Sequence, residues 1–211
     1  LTQMGHVAKT TEVTKRLSPE NTKIDQSRIA FLAHLAPQLA VIDDNDHFFH
    51  SVGLTSKHNE KAIAELVGKV IESITKIDKP TDIATLSKET GNPDQKHVEA
   101  LASISKNISN LHGRWGLTKW PMVNPKNIRD KIYVILHDHK KPMHFSEIAE
   151  AIGASDFKRK DVTTQAIHNE LIKDKRFVLI GRGIYAWKEW GYKKGTVADV
   201  IAEVLKKEAG P

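Results

Sequence analysis

Apolar residues between positions 60 and 77 recur at steps of three and four: Ala62, Ile63, Leu66, Val67, Val70, Ile71 and Ile74. That period predicts an amphipathic helix with one buried stripe, starting near Ser56. Lys79-Pro80-Thr81 breaks it and offers a new cap. A short helix follows with Ile83 and Leu86 inward, and Gly91 is placed to end it. Asp94 is placed to cap a third helix with Val98, Leu101, Ala102, Ile104 and Ile108 on its apolar side. The run His112-Gly113-Arg114-Trp115-Gly116-Leu117-Thr118-Lys119-Trp120 then reads as a turn between short extended segments.

The same order returns downstream. Asn124-Pro125 suits a helix start, and Ile128, Ile132, Val134, Ile135 and Leu136 supply its apolar faces. Lys141-Pro142-Met143-His144 stands where Lys79-Pro80-Thr81 stood. Ser146 is placed to cap a short helix carrying Ile148, Ala149 and Ile152, with Gly153 at its end. A third helix is predicted over Asp161 to Asp174, with Ala166, Ile167 and Leu171 inward. Phe177 to Ile180 and Ile184 to Trp187, joined by Gly181-Arg182-Gly183, read as a β-hairpin. At a fixed offset Gly113 matches Gly183, Trp115 matches Tyr185, Leu117 matches Trp187 and Trp120 matches Trp190, which points to an internal repeat. Three helices closed by a hairpin make a winged-helix module. The expected fold class is therefore α+β, mainly helical, with tandem modules at residues 56–123 and 124–192.

The flanks fit less closely. Residues 1–55 are expected to form a small further winged-helix unit. In it, Met4 to Leu17 has a loose helical pattern, and Asp25 is placed to cap a helix that Pro37 ends. Leu39 to Ile42 and Phe48 to Val52 read as strands around Asp43-Asp44-Asn45-Asp46. In residues 193–211 the pattern of Val197, Val200, Ile201, Val204 and Leu205 predicts a last helix over Gly195 to Leu205, either docked on the third unit or opening another.

Composition narrows the function. The chain has no cysteine, which excludes disulfides, thiolate metal sites and cysteine nucleophiles. No apolar run approaches the roughly 20 residues of a membrane helix. Leu1-Thr2-Gln3-Met4 does not open a signal peptide, so a cytoplasmic chain with no membrane partner is expected. The start without Met and the Gly210-Pro211 end suggest a fragment of a longer protein. Net charge is +6, and residues 124–211 hold most of it, with 17 Lys and Arg against 12 Asp and Glu. Such a basic segment suits a polyanionic partner.

The runs KPMHFSEIAEAI and TQAIHNELIKDKRFVLIGRGIYAWKEWGY resemble a HARE-type helix-turn-helix domain. Residues around Trp115-Gly116-Leu117 and Trp120-Pro121 are similar to the winged domain of the bacterial RNA polymerase delta subunit. WGLTKWPMVNPKNIRDKIYVIL resembles the C-terminal repeats of bacterial sigma-factor-like proteins. The likeness covers roughly residues 58–208 and shows no sigma region. It implies winged helices in bacterial transcription, with double-stranded DNA or RNA polymerase as partner. A DNA-reading accessory part of a larger enzyme is a further expectation.

A DNA-binding winged helix sets its third helix in the major groove and its hairpin on the backbone. At 100° per residue, Gln165, His168 and Asn169 point outward with Ile172 beside them, and Gln and Asn suit adenine. Lys158, Arg159, Lys160, Arg176 and Arg182 are placed for phosphate. In the preceding unit Lys96 and Arg114 take that part, together with Gln95, Lys106, Asn107 and Lys119, although Glu99 on the same helix repels phosphate. Trp115, Trp120, Tyr185, Trp187 and Trp190 are expected chiefly in cores. His137-Asp138-His139 with His144 diverges on a helix end and reads as polar surface, so no metal is expected. No catalytic constellation, cofactor site or small-molecule substrate site stands out, and a non-enzymatic chain is expected.

Overall fold

The structure is a computed structural model that describes residues 1–18, 20, 22–157 and 161–192. It is α+β, with helices and small antiparallel sheets. Contacts divide the chain into two compact units, Leu1–Asn124 and Pro125–Pro211.

Met4 to Leu17 is not one helix. A single 3-10 turn at Thr2–Met4 leads into a left-handed turn at Gly5 and His6, with φ of 73° and 71°. Strand β1 (Val7–Lys9) and helix α1 (Thr10–Leu17) follow. Helix α2 (Lys23–Leu35) is capped by Thr22, and Asp25 sits three positions on as the second half of the capping box rather than as the cap. Hydrogen bonds from Thr22, the side chain first, hold the Asp25 carboxyl below the usual carboxylate range. Strands β2 (Leu39–Ile42) and β3 (Ser51–Leu54) complete an antiparallel sheet in the order β1-β3-β2. The second strand of the expected hairpin thus begins at Ser51, beyond Phe48. Val7 pairs with Gly53 and Ala8 with Val52, and this distant ladder overrides the local helical pattern.

Helix α3 (Glu60–Ile77) buries Ile63, Val67, Val70 and Ile74, the stripe that its period predicts. Its cap is Asn59 rather than Ser56, because the Asn59 side chain accepts from the Ala62 N–H. Helix α4 (Ile83–Thr90) is capped by Asp82 and ends at left-handed Gly91. Thr81, expected as that cap, lies extended and pairs with Trp115. Helix α5 (Gln95–Ile104) starts at the Asp94 cap. Ile108 then opens strand β4 (Ile108–Leu111) rather than extending α5, and β5 (Arg114–Leu117) returns through His112 and Gly113, both left-handed.

Residues 1–54 do not stand apart from the helices α3 to α5 and their hairpin. Val7, Ala40 and Ile42 share one buried cluster with Ile63, Val67, Leu86, Leu101 and Trp115. The expected break near residue 55 is therefore not a boundary between compact units.

The second unit repeats the order of α3 through β5. Helix α6 (Ile128–His139) is capped by Asn127, three residues beyond the expected start. Strand β6 (Met143–His144) leads to α7 (Phe145–Ala154). His144, not Ser146, caps α7: its ring nitrogen accepts from the Ser146 N–H while Glu147 accepts from the His144 N–H. Helix α8 (Thr164–Lys173) starts at the Thr163 cap, and strands β7 (Phe177–Gly181) and β8 (Ile184–Trp187) close the unit in a sheet of order β6-β8-β7. Met143 pairs with Tyr185 as Thr81 pairs with Trp115. Ile132, Leu136, Ile148, Ile152, Ile167 and Leu171 are all within 1% of full burial. Trp187 packs on Tyr133 at 4.5 Å and on Phe177 at 5.7 Å between ring centroids. The predicted helix over Gly195 to Leu205 lies outside the described residues.

Candidate nucleic-acid interface

Burial of Ile167 and Leu171 fixes the rotation of α8. The opposite side presents Gln165, Asn169, Ile172 and Lys173 to solvent. Gln165 donates from Nε2 to Asn169 Oδ1 at 3.0 Å, so the two amides are held as one pair a helical turn apart. The carboxylate of α8, Glu170, is half-buried and lies 3.4 Å from Arg129. The open face of this helix therefore carries no free acid.

Other expected contacts are placed differently. His168 is half-buried, its ring 4.6 Å from Phe145 and 6.1 Å from Tyr185, which makes it a packing residue at the edge of the face. Arg176 donates from Nε to both Asp174 oxygens at 3.0 Å and from Nη2 to Oδ2 at 2.6 Å. Its guanidinium also lies 5.8 Å from the ring centres of Phe177 and Trp187. The Arg176 hydrogen bond holds the Asp174 carboxyl below its usual range, and the same bond raises the Arg176 pKa. This arginine staples the end of α8 to the hairpin, and its side chain is 40% exposed. Arg182 is exposed at the hairpin turn, beside left-handed Gly183, whose carbonyl accepts from the Phe145 N–H at 3.0 Å. Lys158, Arg159 and Lys160 lie outside the described residues.

The equivalent helix of the first unit is flanked by the start of the chain. The chain at Gly5 lies so close to α5 that a Cβ there would sit 2.3 Å from the Lys96 carbonyl oxygen. His97 is buried and donates from Nδ1 to the Gly5 carbonyl at 2.7 Å. The Lys96 side chain is exposed, with Glu99 exposed on the same helix and Ala100 buried. Arg114 is half-buried, with its Nε and Nη2 atoms out of contact with solvent. Lys106 bridges Asp44 at 3.0 Å. Residues 1–9 thus occupy one flank of α5, a non-local packing that no pattern in residues 95–104 announces.

Sequence reasoning missed a cluster of imidazoles beside this contact. His58 stacks on His97 at 5.3 Å, and His6 lies 5.9 Å from His97. Among the described residues no group of three or more His, Asp or Glu side chains is placed to hold a metal ion. Burial first, then the charges of His97 and His6, holds the His58 imidazole below its ordinary 6.5. Such a group binds fewer protons folded than unfolded, so stability is full above about 6.5 and falls as the pH drops through that value toward the folded pKa. The urea midpoint of the first unit is expected to be lower at about pH 5.5 than at about pH 7.5, and His58→Gln is expected to shrink the difference. A midpoint unchanged or raised by acid would refute this.

Among the described residues no helix is long and apolar enough to cross a membrane. Compared with known proteins, the chain gives no match to a family model and no significant match to a curated protein or a solved structure.

Proposed function

We propose that the chain is a non-enzymatic, cytoplasmic DNA-binding protein of bacterial transcription, built of tandem winged-helix modules, with the second unit as its duplex-reading part. The observation that carries this is the α8 face. It is open, polar and free of unpaired carboxylate, and it stands beside a hairpin tipped by Arg182. The repeated order of helix, strand, two helices and hairpin, with the strand paired to the second hairpin strand, supports the winged-helix reading. In this reading α8 enters the major groove. Gln165 and Asn169 exchange their mutual hydrogen bond for bidentate bonds to adenine, and Arg182 meets phosphate. Lys158, Arg159 and Lys160 precede α8 in sequence and supply further cations. The first unit plays the lesser part, because α5 is flanked by residues 1–9 and carries Glu99.

Fluorescence anisotropy of a labelled random duplex across a salt series tests this. Binding is expected to fall linearly in log salt, and Arg159→Glu with Arg182→Glu is expected to reduce the slope by about 1.8, at about 0.9 per lost phosphate contact. Absence of binding at low salt, or an unchanged slope, overturns the reading. The second reading is docking on RNA polymerase, as in the delta-subunit likeness. Ile172, 64% exposed at the edge of the α8 face, favours it, because an apolar side chain there suits a protein surface better than bases. A pull-down of purified polymerase that Ile172→Glu abolishes, with duplex binding absent, would establish it.

A further inference from the structure

Helix α2 turns its apolar side outward. Ala33 is its buried residue. At 100° per residue, Ile24, Phe31 and Leu35 fall within an arc of about 40° centred opposite Ala33, with Leu32 about 60° to one side. These four, with Leu17 at the end of α1, are between 60% and 71% exposed. Soluble proteins expose single apolar side chains freely, but a contiguous stripe of large ones marks a contact surface. Spacing of i, i+7 and i+11 is that of anchors by which one helix seats another.

The charges around the stripe select the partner. Lys23 and Arg28 are exposed beside Ile24 and Phe31, and Asp25 stands on the same helix. Asp25 is committed to the cap of α2, accepting from Ser18 and Thr22. The rim is therefore basic. A second copy of the chain would bring a second Lys23 and Arg28 to the same contact, which like-charge repulsion disfavours. Lys23, Ser27 and Arg28 stand beside Ile24 and Phe31 on this open, shallow face.

We propose that α2 is a docking site for an amphipathic helix of a partner protein, with apolar anchors against Ile24, Phe31 and Leu35 and acidic flanks against Lys23 and Arg28. This site is independent of the duplex-binding reading.

The probe is a fluorescein-labelled helical peptide of about 20 residues with leucine at i, i+3, i+4 and i+7 and glutamate on both flanks, compared with its lysine-flanked twin. With the full chain, saturable binding of the glutamate peptide is expected, at least tenfold tighter than that of its twin. Phe31→Ser with Leu35→Ser is expected to weaken it at least tenfold. Both residues are exposed, so the circular dichroism spectrum and thermal midpoint are expected to be unchanged. Arg28→Glu keeps the apolar stripe and is expected to narrow or reverse the preference for the acidic peptide. Failure to bind, or equal binding of both peptides, overturns the proposal. A concentration-dependent dimer in sedimentation velocity that Phe31→Ser abolishes assigns the face to a second copy and also overturns it. So does binding to phosphatidylglycerol vesicles without binding to the peptide.

Discussion

Replacing Ile42 with Ala is expected to destabilise the whole of residues 1–124 by about 2–5 kcal/mol, the usual cost of a truncated buried isoleucine. Ile42 is 3% exposed at the end of β2, opposite Ser51 of β3. Its side chain belongs to the same buried cluster as Ile63 and Val67 of α3 and Trp115 of β5. The cavity therefore opens in a core that both halves of the first unit line. At a slope of roughly 1–3 kcal/mol/M the urea midpoint falls by on the order of 1–2 M. Fluorotryptophan labelling followed by ¹⁹F NMR separates the four tryptophans and reports Trp115 and Trp120 individually. Both resonances are expected to shift to lower urea in Ile42→Ala. If Trp115 kept its midpoint while the amide signals of residues 1–54 melted early, the two halves would be separate folding units, as the sequence pattern alone suggests.

That contrast shows what the sequence made legible. The α3 stripe was readable because a repeated apolar step over many residues has one interpretation, and Ile63, Val67, Val70 and Ile74 are buried as it requires. Asp94 and Gly91 were readable because a carboxylate at a helix start and a glycine at a helix end satisfy local backbone needs. Strand β1 was not readable. Its reason for being extended is Ser51 to Gly53, over 40 residues away, and nothing in Val7-Ala8-Lys9 itself favours one partner. Helix starts moved by a few residues wherever several candidate caps stood together. Asn59 replaced Ser56 and Asn127 replaced Asn124, because the cap is chosen by where the chain enters the core.

The candidate interface divides in the same way. The outward side of α8 followed from Ile167 and Leu171, since helical geometry sets the opposite face once the buried one is known. The role of Arg176 did not follow, because its fork meets Asp174 only through the turn that joins α8 to β7. His168 looked outward by angle alone, but Phe145 from the start of α7 reaches its ring. Cover over α5 by the first nine residues was the least legible feature of all, being a contact across some 90 residues of chain.

That cover yields the second large effect. Gly5→Ala is expected to cost about 2–5 kcal/mol and to release the start of the chain from α5. Gly5 has φ of +73°, where a side chain adds about 1–2 kcal/mol of left-handed strain. Its new Cβ would also lie 2.3 Å from the Lys96 carbonyl oxygen and 2.8 Å from the Ala100 Cβ. Rotamer changes cannot relieve a clash with helix backbone, so the 1–9 segment must lift. Lifting removes the bond from His97 to the Gly5 carbonyl, adding on the order of 1–3 kcal/mol for a buried donor left alone. Gly91→Ala is the control. Gly91 has nearly the same φ, +70°, but nothing lies within 4 Å of its would-be Cβ. It is expected to cost the left-handed strain alone, about 1–2 kcal/mol. The gap between the two variants, measured as urea midpoints, isolates the contact with α5. Hydrogen exchange at the β1 amides is expected to speed up in Gly5→Ala and to stay unchanged in Gly91→Ala. Equal costs for both substitutions would mean that residues 1–9 do not press on α5 as described. The flank of Lys96 and Ala100 would then be open in solution, and the case for giving the first unit the lesser part in DNA contact would fall with it.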